Sequence, residues 1–185
     1  MLYILTNDNL LYSGLNYLYG ESSIIKLPSI YILSEKDTSH DTLLIDVAYC
    51  KLTISQLFYI IQKTFINKII FLSAFRFSNL KPNCPVHFIP RKINLRYISV
   101  NADIFYDGPK IDLPSLTLRE FEIIRQTIRQ YNDLRIASSL GISLATLRIN
   151  KYQIMLKLKI KKMSHVMYTE YYLYITGEKA GLIRH

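Results

Sequence analysis

The sequence has few cysteines and no long apolar run, and both absences exclude classes of protein. Its two cysteines, Cys50 and Cys84, lie far apart and outside any Cys-x-x-Cys pair. They fit reduced thiols better than a disulfide framework or a zinc site. The longest apolar runs, such as Ile69–Leu72, are far shorter than the roughly 20 residues of a membrane helix. Because Met1–Asp8 also lacks the basic start of a signal peptide, we expect a soluble, cytoplasmic protein with no membrane partner.

Patterns that carry catalytic chemistry are also missing. No glycine-rich loop that could cradle phosphates is visible, and no Ser-His-Asp or His-Cys spacing stands out. The four histidines are scattered through the chain: His40, His87, His165 and His185. We therefore expect no catalytic residues, no metal site and no cofactor, so the protein is not predicted to be an enzyme.

Acidic residues are absent from one long window, Leu134–Thr169, which holds seven lysines and arginines. The net charge of +9 is uneven, because residues 1–115 hold 11 basic and 9 acidic side chains and residues 116–185 hold 12 and 5. A surface of one positive sign is typical of proteins that bind the phosphate backbone of nucleic acid. Double-stranded DNA is therefore the expected partner of the C-terminal part. A basic face that only confers solubility is the alternative.

Short apolar runs alternate with mixed segments in residues 1–99. Continuous apolar strands separated by helices predict a parallel sheet covered on both faces, which is an α/β fold. The predicted strands are Leu2–Leu5, Leu43–Val47, Lys68–Ser73 and Val86–Ile89, and the predicted helices are Asn9–Tyr19 and Thr53–Phe65.

This order resembles the receiver (flavodoxin-like) domain of bacterial response regulators. The resemblance places Asp46 at the phosphoacceptor position and Ser73 at the hydroxyl position. Thr6-Asn7 stands where receivers carry an acidic pair for Mg²⁺, and Pro90–Lys92 covers the lysine position. Because Mg²⁺ requires hard, preferably anionic oxygen ligands, a site with one certain carboxylate should bind it poorly.

We therefore predict a degenerate receiver-like regulatory or dimerisation domain over residues 1–99, independent of phosphorylation. It is shorter than a usual receiver, so a helix or strand should be missing within 21–42 or 74–85. The alternative is that Asp8 replaces the lost acidic pair, which would leave a phosphorylatable response regulator using Asp46.

The C-terminal half predicts an all-α domain over residues 116–175, after a linker at 100–115 and before a tail at 176–185. Thr117 and Glu120 form a capping box for a first helix. A second helix starts at Asn132 and ends at Gly141. Ser143 caps a third helix running to about Lys159, and a fourth is predicted over Ser164–Ile175. In the third helix the inward residues are Leu147, Ile154 and Leu158.

A scaffold helix, a glycine turn and a basic helix have the geometry that enters a major groove. The residues resemble the LuxR-type (NarL/FixJ) helix-turn-helix domain, with departures at Leu118, Leu134-Arg135 and Lys159. The matching residues are Leu116-Thr117-x-Arg119-Glu120-x-Glu122, Ile136-Ala137-x-x-Leu140-Gly141-Ile142-Ser143-x-x-Thr146-Leu147-Arg148 and Ile154-Met155-x-Lys157-Leu158.

The LuxR-type resemblance implies which residues touch DNA. Arg148, Ile149 and Tyr152 occupy base-reading positions, with Arg148 able to donate two hydrogen bonds to guanine. The alternatives are packing for Ile149 and Tyr152, and a solvated charge for Arg148. Phosphate contacts, which fix register, are expected from Ser143, Thr146, Lys151 and Lys157.

The fourth helix of the LuxR-type family pairs two subunits on DNA. This implies dimerisation candidates on the matching segment of the present chain, although some of these side chains could simply close the core of the small domain. The candidates are Val166, Met167, Tyr171 and Tyr174.

The whole chain is also similar to the GadE-type acid-resistance activators, through Phe88–Lys92, Asn150–Lys159 and Met163-Ser164. That similarity implies a transcription activator that acts on RNA polymerase, as a homodimer or with an RcsB-like heterodimer partner, in acid or stress resistance. Regulators of virulence, capsule or fimbriae share the architecture. A co-regulator that works mainly by protein–protein interaction is therefore the alternative.

Overall fold

The computed structural model describes residues 1–35, 38–50, 53–63, 66–78, 80–92 and 112–176. The chain divides into two compact units. The sheet unit comprises Met1–Ser73 and Leu80–Asp112, and the helical unit comprises Ala74–Asn79 and Leu113–His185. The predicted linker at 100–115 and tail at 176–185 lie largely outside the described residues. No sequence signal anticipated that residues 74–79 belong with the helical unit.

The strands and helices follow the chain in a regular order. The strands are β1 (Leu2–Leu5), β2 (Ile24–Lys26), β3 (Thr38–Asp46), β4 (Ile66–Leu72), β5 (Arg76–Phe77), β6 (Val86–Ile89) and β7 (Ser115–Leu116). The helices are α1 (Asn9–Tyr19), α2 (Ile54–Lys63), α3 (Leu118–Ile128), α4 (Asp133–Ser139), α5 (Leu144–Leu158) and α6 (Tyr171–Thr176). None of the helices in the described ranges has the length and apolar character needed to cross a bilayer.

The sheet unit contains the predicted parallel α/β sheet, with five strands in the order β2-β1-β3-β4-β6. Leu44 in the central strand lies between Ile4 of β1 and Ile70 of β4, and all three side chains are buried. Burial on both faces explains why Leu2–Leu5 of β1 and Ile69–Leu72 of β4 are apolar without alternation. In this strand order, the connection after β1 runs to one side of the sheet and the connection after β3 runs to the other. Open α/β sheets place their functional residues at the carboxyl ends of two such strands.

Helix α1 has the predicted bounds because both ends are determined locally. The Asp8 carboxylate accepts hydrogen bonds from the backbone N–H groups of Leu10 at 2.9 Å and Leu11 at 3.3 Å. Gly20 follows the helix with φ of 83°, a left-handed value that glycine adopts without a steric penalty. Leu11 and Leu15 point into the core of the sheet unit.

The two regions in which the sequence predicted a missing helix or strand, 21–42 and 74–85, contain no α-helix among their described residues. Between β2 and β3 the described chain forms only a 3-10 helix, Ile30–Glu35. Between β4 and β6 the described residues of 74–85 contain strand β5 and no helix.

The first three helices of the helical unit have the predicted caps. The Thr117 hydroxyl accepts from the Glu120 N–H at 3.1 Å, and the Glu120 carboxylate accepts from the Thr117 N–H at 2.7 Å. Asn132 caps α4 and Ser143 caps α5. Helix α5 ends at Leu158, and Lys159 follows in a left-handed conformation with φ of 54°.

The prediction of one fourth helix over Ser164–Ile175 is wrong. A 3-10 helix spans Met163–Tyr168, without a side-chain cap from Ser164, and α6 starts only at Tyr171. The backbone N–H and the hydroxyl of Thr169 both donate to the Val166 carbonyl, at 3.1 and 2.8 Å. These bonds close the 3-10 turn, and the extended backbone of Thr169 separates it from α6.

Candidate nucleic-acid interface and the Asp46 site

Helices α4 and α5 are joined by a short turn whose backbone is internally hydrogen-bonded. Gly141 adopts φ of 61°, and its N–H donates to the Ser138 carbonyl at 3.1 Å. Ile142 donates to the Ala137 carbonyl at 3.0 Å. The left-handed conformation at Gly141 reverses the chain direction, so α5 begins two residues later at its Ser143 cap. A residue with a Cβ would be strained at Gly141 whatever the surrounding space.

Helix α5 has one buried face and one exposed face. Leu147, Ile154 and Leu158 are buried, as predicted. On the opposite face Ile149 is 63% exposed and Tyr152 is 56% exposed. The alternative, that these two side chains are packed in the core, therefore does not apply.

Two further residues belong to the exposed face of α5. Leu156, which no motif in the sequence marks, is exposed one turn beyond Tyr152. Arg148 is exposed beside Ile149, and no carboxylate among the described residues pairs with it. The face therefore combines an available guanidinium with an exposed apolar stripe.

The two lysines of the predicted set form ion pairs within the helical unit. Lys151 Nζ lies 2.5 Å from Asp133 Oδ1, and the Asp133 side chain is about half exposed. Lys157 Nζ lies 2.7 Å from both oxygens of the Glu120 carboxylate, which is buried. Because Glu120 also caps α3, Lys157 links the end of α5 to the start of α3.

The two hydroxyls of the predicted set lie at the start of α5. The Ser143 hydroxyl accepts from the Thr146 N–H at 3.1 Å and contacts the Thr146 hydroxyl at 2.9 Å. Both side chains serve the helix cap, and Ser143 is exposed. A helix amino terminus with an exposed serine is a suitable neighbour for a phosphate group.

The four dimerisation candidates do not share one surface. Val166 is fully buried and Tyr174 almost so, and the Tyr174 ring lies 6.4 Å from the Phe75 ring. These two side chains close the core of the helical unit, which is the simpler of the two interpretations. Met167 and Tyr171 are partly exposed. Partial burial, together with Glu170, raises the pKa of Tyr171.

Asp46, at the carboxyl end of β3, is the centre of a second cluster of polar side chains. Its carboxylate is fully buried and accepts a hydrogen bond from the Thr6 hydroxyl at 2.9 Å. Arg91, two residues after β6, places its Nε at 3.2 Å from Asp46 Oδ1 and donates through Nη2 to Asp8. Its guanidinium also lies over the Tyr49 ring, 4.4 Å from the centroid.

The electrostatics of the Asp46 site follow from burial and from Arg91. Burial raises the pKa of Asp46, although Arg91 and the Thr6 hydroxyl oppose the shift and Asp8 adds to it. Partial burial also raises the pKa of Asp8. Three interactions outweigh the effect of burial and hold the pKa of Asp8 below its ordinary value. They are the hydrogen bonds from the backbone N–H groups of Leu11 and Leu10 and the attraction of the Arg91 guanidinium.

These residues do not fit a Mg²⁺ site. The two carboxylates, Asp46 and Asp8, already bind one guanidinium between them, and the third oxygen ligand near Asp46 is the neutral Thr6 hydroxyl. Within the described ranges no group of three metal-ligating side chains comes together. The sequence leaves the cation position open over Pro90–Lys92, and the tertiary structure places Arg91 there. A lone arginine beside a proline carries no sequence signal for that role.

Comparisons with known proteins identify relatives of this chain. Residues 1–106 match the family described as "GadE/DctR transcriptional regulator, N-terminal domain". The transcriptional regulator GadE of Escherichia coli (strain K12) is 26% identical over 170 residues, covering 90% of this chain and 95% of that protein.

Two solved response-regulator structures also match along most of their length. Full-length FixJ from B. japonicum is 13% identical, with a TM-score of 0.37 and coverage of 95% of this chain and 96% of that chain. The response regulator StyR is 16% identical, with a TM-score of 0.34 and coverage of 93% and 96%. The family match spans more than half of the present sequence, and the chain therefore belongs to the GadE/DctR family of transcriptional regulators.

Proposed function

We propose that this regulator is a sequence-specific DNA-binding protein of the LuxR type, without enzymatic activity, that inserts α5 into the major groove. The observation that carries the proposal is the exposed face of α5. Arg148, Ile149 and Tyr152 project from a helix whose opposite face is packed in the core. Large apolar side chains exposed beside an available guanidinium are unfavourable in water but suit base edges, because thymine presents a methyl group and guanine two acceptors.

The contacts divide between base edges and phosphates. We assign base reading to Arg148, Ile149 and Tyr152, and phosphate contacts to Ser143, Thr146 and Lys151. Lys151 remains in this set because its partner Asp133 is half exposed, so exchanging that pair for a phosphate costs little. We leave Lys157 out, because moving it away from Glu120 would leave a buried carboxylate without its cation.

Replacing Arg148 by alanine is expected to weaken binding to the specific site by about fivefold to 150-fold, which is ~1–3 kcal/mol. Binding to unrelated duplexes should weaken far less, because one of several cations is lost. Arg135→Ala is the matched control. It removes the same charge from an exposed position of α4, where the Arg135 guanidinium lies 3.9 Å from the centroid of the Tyr131 ring. Titrating a specific and a scrambled duplex against each variant measures both affinities. An equal loss on both duplexes would rule out base reading by Arg148.

The Asp46 site supports control without phosphorylation. Phosphoryl transfer to a carboxylate needs a metal ion to neutralise charge, and Arg91 occupies that place between the two carboxylates. Incubation with acetyl phosphate and Mg²⁺ is therefore expected to leave the mass of the intact protein unchanged. Stoichiometric phosphorylation mapped to Asp46 would instead support the alternative of a competent response regulator.

We further propose that the protein activates transcription through RNA polymerase, as a homodimer or with an RcsB-like partner, in acid or stress resistance. The support is the GadE-type similarity along the chain. Among the dimerisation candidates we retain Met167 and Tyr171, because Val166 and Tyr174 are buried. Genome-wide footprinting with and without the partner would give the operator, its symmetry and the regulon together.

A co-regulator that acts mainly by protein contact is the second candidate, and one observation favours it. Helix α1 has no charged residue, and it exposes Leu10 by 85% and Tyr17 by 91%. Such a surface suits a protein partner better than solvent. Retention of duplex DNA by the protein without its partner would separate the two candidates, because a pure co-regulator should show none.

A further inference from the structure

Residues 74–79 leave the sheet unit directly after β4 and become part of the helical unit. Ser73 is still in the sheet unit, where its N–H donates to the Ile89 carbonyl at 2.9 Å. Beyond it, Arg76 donates to the Pro114 carbonyl and Ser78 to the Leu116 carbonyl, both at 2.8 Å. These bonds make β5 and β7 a two-stranded parallel sheet inside the helical unit. The chain returns to the sheet unit at Leu80.

The side chains of this segment are the aromatic core of the helical unit. Phe75 is fully buried and Phe77 is 5% exposed. The Phe121 ring of α3 lies 5.7 Å from the Phe75 ring and 5.3 Å from the Phe77 ring. Phe75 also meets Tyr174 of α6. Aromatic rings of this size contribute much of the energy of a small core, and each buries a large apolar area.

We propose that the helical unit is not autonomous, because residues 74–79, which lie in sequence between two strands of the sheet unit, complete its core. The segment holds α3 through Phe121, and α3 in turn holds α5 through the Glu120–Lys157 pair. The position of the exposed α5 face therefore depends on a segment that lies between β4 and β6 in sequence. This holds whether or not the helical unit binds DNA.

The arrangement has a consequence for regulation. In sequence, the segment follows the sheet unit at 73/74 and precedes it at 79/80. We expect a rearrangement at the carboxyl end of β4, where Leu72 pairs with Asp46, to be transmitted along the chain to the core of the helical unit. A chain with domains joined only through residues 93–111 would lack this mechanical route.

The test uses the full chain with a protease cleavage sequence inserted between residues 101 and 108. After cleavage, the piece that contains 74–79 and the piece that contains α3–α6 are covalently separate. We expect them to co-elute in size-exclusion chromatography, because Phe75 and Phe77 bind Phe121. Separation of the two pieces without any substitution would overturn the proposal.

A substitution series shows which contact holds the pieces together. Phe77→Ala is expected to release the C-terminal piece after cleavage. In the uncleaved chain it should speed hydrogen exchange in α3 by at least about tenfold while β1 and β3 stay protected. Phe77→Leu, which keeps most of the apolar volume, should restore co-elution. Phe88→Ala is the matched control in the sheet unit, where Phe88 stacks on Phe71 at 5.1 Å. Co-elution that survives the Phe75→Ala/Phe77→Ala double variant would refute the role of this segment.

Discussion

Replacing Arg91 by methionine is expected to destabilise the sheet unit by about 3–5 kcal/mol at neutral pH, because it strands a buried charge. Asp46 is fully buried, and Arg91 is the cation that pairs with it in the described structure. Methionine keeps the apolar stem and removes only the charge. Without the guanidinium, Asp46 must either remain ionised in an apolar site or take up a proton.

The loss of stability in Arg91→Met should depend on pH, and the pKa shifts of Asp46 and Asp8 determine the direction of that dependence. Burial raises the pKa of Asp46 above its ordinary value, so its stabilising contribution exists at low pH and disappears as pH rises through the folded pKa. Removing Arg91 raises that pKa further. The pKa of Asp8 is lowered, so its contribution exists at higher pH and is lost as pH falls. Both effects make the deficit of the variant larger at neutral pH than at acidic pH.

Urea unfolding of both proteins at several pH values measures this deficit. Asp46→Asn in the Arg91→Met background is the matched control, because it removes the stranded charge and keeps the side-chain shape. Most of the neutral-pH stability should return in the double variant. A deficit of equal size at every pH would show that Arg91 acts by packing on Tyr49 rather than by charge.

Replacing Lys157 by methionine is expected to lower the free energy of unfolding of the helical unit by about 2–3 kcal/mol. Glu120 is 4% exposed, and it would keep its hydrogen bond from the Thr117 N–H but lose its cation. Lys151→Met is the matched control on the same helix. Its partner Asp133 is about half exposed, so that loss should stay below about 1 kcal/mol.

Chemical denaturation and DNA titration together decide the role of Lys157. A Glu120→Gln/Lys157→Met double variant should recover most of the lost stability, because glutamine still caps α3 and carries no charge. If Lys157 instead contacted a phosphate, the single variant would keep its stability. The slope of log affinity against log salt would then fall by about 0.9.

Features determined by neighbouring residues were predictable from the sequence. Helix α1 has its predicted ends because Asp8 and Gly20 act within one turn of them. The capping box of Thr117 and Glu120 and the turn at Gly141 are equally local. The parallel sheet was predictable because burial on both faces requires continuously apolar strands.

Side-chain roles that depend on distant partners were predicted less well. Lys157 and Glu120 are 37 residues apart, and their spacing shows no pattern that distinguishes a structural pair from two surface charges. Val166 and Tyr174 fit a subunit contact by position alone, yet they face the core. The predicted fourth helix failed because the Thr169 bonds to Val166 favour a 3-10 turn, which apolar periodicity does not register.

The sequence by itself predicted the parallel sheet with four of its strands, the caps of α1, α3, α4 and α5, and the exposed α5 face with Arg148, Ile149 and Tyr152. These follow from periodicity and from interactions within a few residues. Only the tertiary structure placed Arg91 on Asp46 and residues 74–79 in the aromatic core of the helical unit. Arg91 and Asp46 are separated by 45 residues, and they meet only because the parallel sheet places the carboxyl ends of β3 and β6 at the same edge. Strand order is set by packing of the whole sheet rather than by any local segment.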